Sequence, residues 1–200
     1  MDAAALLSGE EPFVLDTSAW SRVRRLPSDL AQQLRTAMVA GRVVITPIVR
    51  IEILYSARSA IEFAAVDAEL SSLRIIRNGR AAADTAISAM RELSEHSDGY
   101  HRIPLADALI AAAAAEQGGL AVLHRDAHYD RLAEVLAFDS VELPVPDRAT
   151  RLLVRSDARV QRRASVIRWL PTCGPCFRSG RQDGRSGTGR AAALLAKDSG

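Results

Sequence analysis

Short apolar runs alternate along this chain with longer stretches in which apolar residues recur every three or four positions. The short runs are rich in Val, Ile and Leu and predict five strands, at residues 13–15, 43–46, 73–76, 120–123 and 140–143. The longer stretches predict helices at about 17–25, 28–40, 47–58, 61–73, 80–96, 104–117 and 128–136. This alternation predicts an α/β fold, a three-layer α/β/α sandwich with a central, mostly parallel sheet and the fifth strand at its edge.

The chain divides into an acidic part and a basic part where the pattern breaks at Pro144. Residues 1–146 hold 14 basic and 20 acidic side chains, whereas residues 147–200 hold 12 basic and 4 acidic ones. We therefore predict one folded domain over 1–146 and an Arg-rich tail over 147–200. Residues 148–170 could form a helix, and residues 171–190, rich in Gly, Ser and Arg, are expected to be disordered. The tail is either an arm that binds nucleic acid nonspecifically or an accidental extension of the coding sequence.

Composition excludes several classes of protein. The 200 residues are 48% hydrophobic and 25% charged, as in ordinary globular proteins, and two cysteines are too few for a disulfide framework. Cys173 and Cys176 lie in the tail, without the strands and helices of a redox motif around them. The nearly apolar run 105–115 is too short to span a bilayer, and the N-terminus lacks a basic leader. We expect a cytoplasmic protein with no membrane segment.

Four acidic residues fall where parallel sheets bind ligands, beyond the carboxyl ends of the strands. Asp16 directly follows the first strand, and Asp126 comes shortly after the fourth. Glu52 lies on the helix after the second strand, and Asp107 lies in the first turn of the helix that leads into the fourth. Each aspartate also has a purely structural interpretation, because Asp is favoured at helix N-caps and near the positive end of the helix dipole.

Glu52 is the hardest of the four to explain as a structural residue. Its helical neighbours are almost all apolar, and an unpaired carboxylate on such a face is costly unless it is protonated, paired with Arg or bound to a cation. Carboxylates that cluster also repel one another unless a cation neutralises them, and oxygen ligands favour Mg²⁺ or Mn²⁺. The pattern therefore indicates metal-assisted phosphodiester or phosphate chemistry.

The four acids lie within segments that also match a family pattern. The segments are VLDTSA at 14–19, IEIL at 51–54, LADALIAA at 105–112, and VLHRD at 122–126 with Tyr129-Asp130. In this order and spacing they resemble the four motifs of PIN domains, and more closely those of the VapC-type ribonuclease toxins of bacterial toxin–antitoxin pairs. The resemblance covers about residues 12–143.

The resemblance implies an endoribonuclease that depends on Mg²⁺ or Mn²⁺ and cuts RNA to leave a 5′-phosphate and a 3′-hydroxyl. It also implies an α/β/α fold, a homodimer, and a cognate antitoxin protein that blocks the acidic groove. Asp16, Glu52, Asp107 and Asp126 would then be both the catalytic and the metal-binding residues. Asp16 and Asp107 would be the core ligands, with Glu52 and Asp126 completing the shell directly or through water.

The fourth motif departs from the family pattern at two positions. His124 stands where a Thr or Ser is common, and His128 stands where a further acid is often found. His124, Asp126 and His128 also have the spacing of zinc ligands, but the sequence offers few partners elsewhere for a hydrolytic zinc site.

Other functions remain open from the sequence. The same carboxylates would serve a metal-dependent phosphatase or DNA nuclease, and a PIN-like fold could act as a catalytically inert RNA-binding or scaffold module. Because inert members are expected to lose acids and all four are present, we favour the ribonuclease toxin. Dinucleotide and P-loop nucleotide binding lack their glycine motifs here.

Overall fold

The computed structural model of this protein describes residues 1–144, and a five-stranded sheet runs through them. Every pair of neighbouring strands is parallel and the strand order is β3-β2-β1-β4-β5, which confirms the predicted α/β class and the edge position of the last strand. The strands are β1 (Phe13–Leu15), β2 (Val43–Ile45), β3 (Arg74–Ile75), β4 (Ala121–His124) and β5 (Ser140–Glu142).

Eight α-helices accompany the sheet within residues 1–144 and flank it on both sides, as predicted. None of them is long and apolar enough to cross a bilayer. They are α1 (Ala3–Ser8), α2 (Thr17–Trp20), α3 (Ser28–Val39), α4 (Pro47–Tyr55), α5 (Ala60–Ser71), α6 (Arg80–His96), α7 (Leu105–Glu116) and α8 (His128–Leu132).

The central strands owe their continuous apolar sequences to burial on both faces. All residues of β1, β2 and β4 are buried, including Phe13 and Leu15 at 0% exposure. β1 lies between β2 and β4, with Phe13 opposite both Val43 and Ala121. Because the three strands run in the same direction, their carboxyl ends meet at one edge of the sheet. The segments that follow them are therefore brought together there.

The first helix was not predicted. α1 is only six residues long, which is too short to display a helical repeat of apolar positions. Its position is fixed by contacts with other segments of the chain. Asp2 caps its N-terminus, and Leu6 and Leu7 are buried in the core. The Arg42 guanidinium donates hydrogen bonds to the carbonyl oxygens of Leu6 (2.7 Å) and Leu7 (3.0 Å) at its C-terminal end.

Several predicted helices end earlier than expected, such as α4, which ends at Tyr55 and not at about 58. Two predicted stretches divide into a short helix and turns. The stretch 17–25 is α2 followed by a separate 3₁₀ turn, Val23–Arg25. The residue before Pro27, Leu26, is extended, which ends the helical stretch there. The stretch 128–136 is α8 followed by turns with i→i+3 hydrogen bonds, such as Val135 N to Leu132 O. The predicted boundary at 146 and everything predicted for residues 147–200 lie outside the described residues.

Candidate active site

The four predicted acids line one open cleft at the carboxyl edge of the sheet. The cleft has a volume of about 540 Å³. Besides the four acids, its walls include three small hydroxyl side chains and two large side chains, namely Thr17, Ser18, Ser21, Ile51 and Tyr55. The topology thus gathers acids from four separate segments into one place.

Asp16 is held in one orientation by donors to both of its carboxylate oxygens. It is 3% exposed and caps α2, where Oδ2 accepts hydrogen bonds from the Ser18 backbone N–H (2.8 Å) and from the Ser18 hydroxyl. Its Oδ1 accepts a hydrogen bond from the phenol of Tyr129 (2.8 Å). The capping interpretation of Asp16 is therefore correct, and the same geometry also fixes the carboxylate at the cleft.

Tyr129 acts on Asp16 as a permanent donor. Its side chain is fully buried, and burial together with the nearby Asp16 carboxylate raises the pKa of the phenol well above its usual value. The hydroxyl therefore stays protonated at physiological pH. Tyr129 was noted in the fourth motif, but nothing in the sequence indicated that it reaches Asp16, which lies 113 positions away.

The capped N-terminus of α4 positions Glu52 at the cleft. Thr46 caps this helix, its hydroxyl accepting from the Val49 N–H (3.2 Å), and Pro47 occupies the first turn. One turn further along the helix, the Oε2 of Glu52 accepts a hydrogen bond from the Thr17 hydroxyl at 2.6 Å.

The apolar surroundings predicted for Glu52 are only partly present. Val49 and Ile53 are buried, but Ile51 is 65% exposed and Tyr55 is 90% exposed, beside the cleft. The helix therefore turns this part of its surface to solvent, and Glu52 is half-buried with a hydroxyl partner. That partner, Thr17, is on a different segment and was not anticipated as the group that satisfies the carboxylate.

Asp107, Asp126 and His128 form a second cluster of potential ligands. The Nδ1 of His128 lies 2.7 Å from Asp126 Oδ1 and 3.1 Å from Asp107 Oδ2. The backbone N–H of His128 also donates to Asp126 Oδ1 (3.1 Å), at the start of α8. Each of the three side chains offers one possible ligand atom, and these atoms lie within 4.8 Å of one another.

The surroundings of Asp107 in the cleft disfavour the ionised form of its carboxyl group. Its side chain is 15% exposed, and burial, followed by the charges of Asp16 and Asp126, raises its pKa from 3.8 to about 6, while His128 acts in the opposite direction. Ionisation of Asp107 is thus opposed first by burial and then by its acidic neighbours, and His128 offsets only part of this. A divalent cation in the cleft would favour the ionised form.

His124 is turned away from this cluster. Its Nδ1 accepts from the Asp126 backbone N–H (3.1 Å), so its Nε2 donates to the Ser140 hydroxyl (2.7 Å), which in turn donates to Asp130. Burial lowers the pKa of the imidazole, which favours the neutral form. Its ring packs against Tyr129, with centroids 4.7 Å apart. Both nitrogens of His124 are hydrogen-bonded elsewhere, so this residue packs behind the site and is not available as a ligand together with Asp126 and His128.

Comparison with known proteins agrees with this fold and site. The family model described as "PIN domain" matches residues 13–135, which is more than half of the chain. The chain belongs to the PIN domain family. It is 40% identical over 124 residues to Ribonuclease VapC18 and 37% identical over 128 residues to Ribonuclease VapC51, both of Mycobacterium tuberculosis. These matches cover 62% of this chain, and 88% and 86% of the respective relatives.

Solved structures with the same fold include toxin–antitoxin complexes. The DNA-bound VapBC from Salmonella typhimurium matches with a TM-score of 0.53 and 21% identity, over 66% of this chain and 97% of that one. VapBC2 from Rickettsia felis, bound to a DNA fragment from its promoter, matches with a TM-score of 0.51 and 16% identity, over 66% of this chain and 98% of that one. At these identities the structural likeness establishes the fold.

Proposed function

We propose that this protein is a metal-dependent endoribonuclease that hydrolyses RNA phosphodiester bonds and serves as the toxin of a toxin–antitoxin pair. The observation that carries the proposal is the convergence of Asp16, Glu52, Asp107 and Asp126 in one open cleft of a PIN domain. The two Mycobacterium relatives are named ribonucleases, which supports RNA as the substrate.

The side chains of the cleft fit a divalent cation such as Mg²⁺ or Mn²⁺. Asp16 and Asp107 are the proposed core ligands, and Asp126 and Glu52 complete the shell directly or through water. The raised pKa of Asp107 supports this assignment, because uncompensated carboxylates are what a cation would neutralise. When bound, the cation supplies positive charge that acidifies water and stabilises charge developing on the phosphate.

The protein's own residues would position the reaction. Ser18 and Tyr129 hold the Asp16 carboxylate still, so that its orientation is set before substrate arrives. Thr17 holds Oε2 of Glu52, and within residues 1–144 no group donates to Oε1. Glu52 would accept the proton of the attacking water at that oxygen. The water oxygen would bond to phosphorus as the bond to the 3′ oxygen breaks. The 3′ oxygen would take up a proton from solvent, so that the products are a 5′-phosphate and a 3′-hydroxyl.

Partners follow from the same proposal. The similarly folded Salmonella and Rickettsia structures are VapBC complexes, which supports a cognate antitoxin as the protein partner of this chain. By the family resemblance, the antitoxin would block the acidic groove, the active form would be a homodimer, and the protein would act in the cytoplasm.

Cleavage assays on the full chain test the proposal. Total RNA, including tRNA, is incubated with wild-type protein in Mg²⁺, Mn²⁺ or EDTA, beside single-stranded DNA and a phosphate monoester. Discrete RNA fragments are expected only with metal. Asp107→Asn should lower the cleavage rate by on the order of 10²-fold or more, whereas Asp98→Asn, on an exposed loop, should leave it unchanged.

Three outcomes would contradict the proposal. Cleavage that persists in EDTA or in Asp107→Asn would point to a contaminating nuclease and remove the metal mechanism. Preference for DNA or for the monoester would favour the rival enzyme classes. Absence of cleavage by protein shown to be folded would favour an inert RNA-binding module.

A further inference from the structure

His128 is the feature of the cleft that the four-acid description leaves unused. Its Nδ1 lies between two carboxylate oxygens, Asp126 Oδ1 at 2.7 Å and Asp107 Oδ2 at 3.1 Å. Both neighbours are acceptors, and one Nδ1–H cannot donate well to both of them. The arrangement of one nitrogen and two oxygens around a common point is that of a ligand set.

The spacing of these atoms also suits a six-coordinate cation. Octahedral coordination with bonds of about 2.1 Å places adjacent ligand atoms about 3 Å apart. The two distances from His128 Nδ1 to the carboxylate oxygens fall on either side of that value. All three ligand atoms lie within 4.8 Å of one another, so little movement is needed to close on an ion.

The imidazole of His128 is also fixed in position through its backbone and is partly accessible to solvent. The backbone N–H of His128 is bonded to Asp126 at the start of α8, and the following residue, Tyr129, is fully buried and anchored on Asp16. The His128 side chain itself is 30% exposed, and its Nδ1 lies beside Asp107 and Asp126, two acids that line the cleft. Its position is therefore set by the backbone while the ring faces the solvent from which an ion would enter.

We propose that His128 supplies a nitrogen ligand to the cation bound by Asp107 and Asp126, and that this nitrogen biases the site toward Mn²⁺ over Mg²⁺. The inference rests on the proposed metal-dependent function. Mg²⁺ prefers an all-oxygen shell and gives up its water reluctantly, whereas imidazole is a ligand of transition metals. An acid at this position would give an oxygen-only shell, so the histidine changes the chemistry of the site and not only its charge.

Pulsed electron paramagnetic resonance with Mn²⁺ as the probe tests the ligand directly, on the wild-type full chain. Directly coordinated imidazole is expected to give ¹⁴N modulation of the Mn²⁺ signal. Protein grown with ¹⁵N-histidine should lose the ¹⁴N modulation and show that of ¹⁵N. This readout requires no variant and no activity.

Variants then show whether the coordinating nitrogen belongs to His128, and they measure the preference of the site for Mn²⁺ over Mg²⁺. His128→Asn places an amide oxygen near the position of Nδ1, so Mn²⁺ should still bind without the nitrogen modulation. The ratio of the Mg²⁺ to the Mn²⁺ dissociation constant, measured by calorimetry, should fall roughly tenfold. His96→Asn is the matched control, because His96 pairs with Glu134 away from the cleft, and it should keep both the modulation and the ratio.

The results of these experiments distinguish failure of the proposed His128 ligand from failure of the proposed nuclease function. Bound Mn²⁺ without nitrogen modulation in the wild type overturns the His128 ligand, and so does modulation that survives in folded His128→Asn. If metal-dependent RNA cleavage persists in those cases, the nuclease proposal stands with an oxygen-only site. Failure of the wild type to bind Mn²⁺ while it binds Mg²⁺ overturns the His128 ligand alone, whereas failure to bind either ion overturns both.

Discussion

The buried carboxylate of Asp16 shows how single side chains make this site possible. A carboxylate at 3% exposure is costly unless donors replace the water it has lost, and Ser18 and Tyr129 provide three such donors. Two come from the neighbouring turn and one comes from the far end of the domain. The hydrogen bond from Tyr129 therefore links the stability of the fold to the geometry of the site.

Removal of the Tyr129 hydroxyl should destabilise the protein without disturbing its packing. Tyr129→Phe keeps the ring contacts with His124 and Phe138 but leaves Oδ1 of Asp16 without its donor. We expect the free energy of unfolding, measured with guanidinium chloride, to fall by about 1–3 kcal/mol. Tyr100→Phe, which removes a solvent-exposed hydrogen bond to Glu134, is the control and should cost less. Equal losses for the two variants would contradict the argument.

The raised pKa of Asp107 predicts a pH-dependent effect on stability. Because the folded protein binds this proton more tightly than the unfolded chain, the associated stability is present at low pH and is lost as pH rises through about 6. The shift from 3.8 to about 6 corresponds to at most about 3 kcal/mol.

Asp107→Asn removes the charge that causes this loss. Without metal, the variant should unfold about 3–6 °C above the wild type at pH 8. At pH 5, within the window between 3.8 and about 6 where this stability is lost, the difference should shrink to roughly half of its value at pH 8. Thermal denaturation in EDTA measures the unfolding temperatures at both pH values. A variant less stable than the wild type at pH 8 would show that the ionised Asp107 carboxylate does not destabilise the folded protein.

The placement of the four acids could be predicted from the sequence, but their hydrogen-bond partners could not. Asp16 and Asp126 stand just beyond strands, and in a parallel sheet that position alone locates them at the binding edge. The bonds from Thr17 to Glu52 and from Tyr129 to Asp16 span 35 and 113 positions, and no local pattern encodes them. The catalytic and metal-binding roles of the four acids stay predictions until they are measured.

Among the elements, the ones with strong internal patterns were predicted best. α6 begins and ends at Arg80 and His96, as its apolar periodicity indicates, and β2 differs from its predicted span by one residue. α1 was missed because its stability comes from Arg42 and from burial against α3, and neither contact is visible in six residues of sequence. Short elements held by long-range contacts are where local patterns fail.

The dependence of α1 on Arg42 can be measured by amide hydrogen exchange. Arg42→Lys keeps the positive charge but replaces the branched guanidinium, which also donates to the Glu11 carbonyl, with a single ammonium. We expect amides of α1 to exchange roughly tenfold faster while those of α3 are unchanged. The exposed Arg77 offers the control substitution, Arg77→Lys. Unaltered exchange in α1 would show that the guanidinium does not hold the helix.

At the scale of the whole molecule, the predicted α/β class and the PIN resemblance were both confirmed, because the strand–helix alternation and the order of four motifs are global patterns. The strand order is different in kind. Placement of β4 beside β1 depends on packing between segments that lie more than a hundred residues apart in the sequence. This placement brings the walls of the cleft together.

Binding of a cation should therefore stabilise the entire domain. A ligand present at one hundred times its dissociation constant adds about 2.7 kcal/mol to the stability of the folded state. For a chain of this size, we expect Mn²⁺ to raise the unfolding temperature by roughly 5–10 °C. Asp107→Asn should abolish the increase and Asp98→Asn should preserve it. An increase of equal size in both variants would mean that the ion binds outside the cleft.

The central position of β1 has a consequence for how the protein is made. β1 is among the first segments to leave the ribosome, but one of its two neighbours, β4, is synthesised more than a hundred residues later. Until β4 pairs with β1, neither Tyr129 nor Asp126 is brought to Asp16. A growing chain therefore carries an incomplete cleft until synthesis of the domain is nearly finished, and any function that needs all four acids must wait until then.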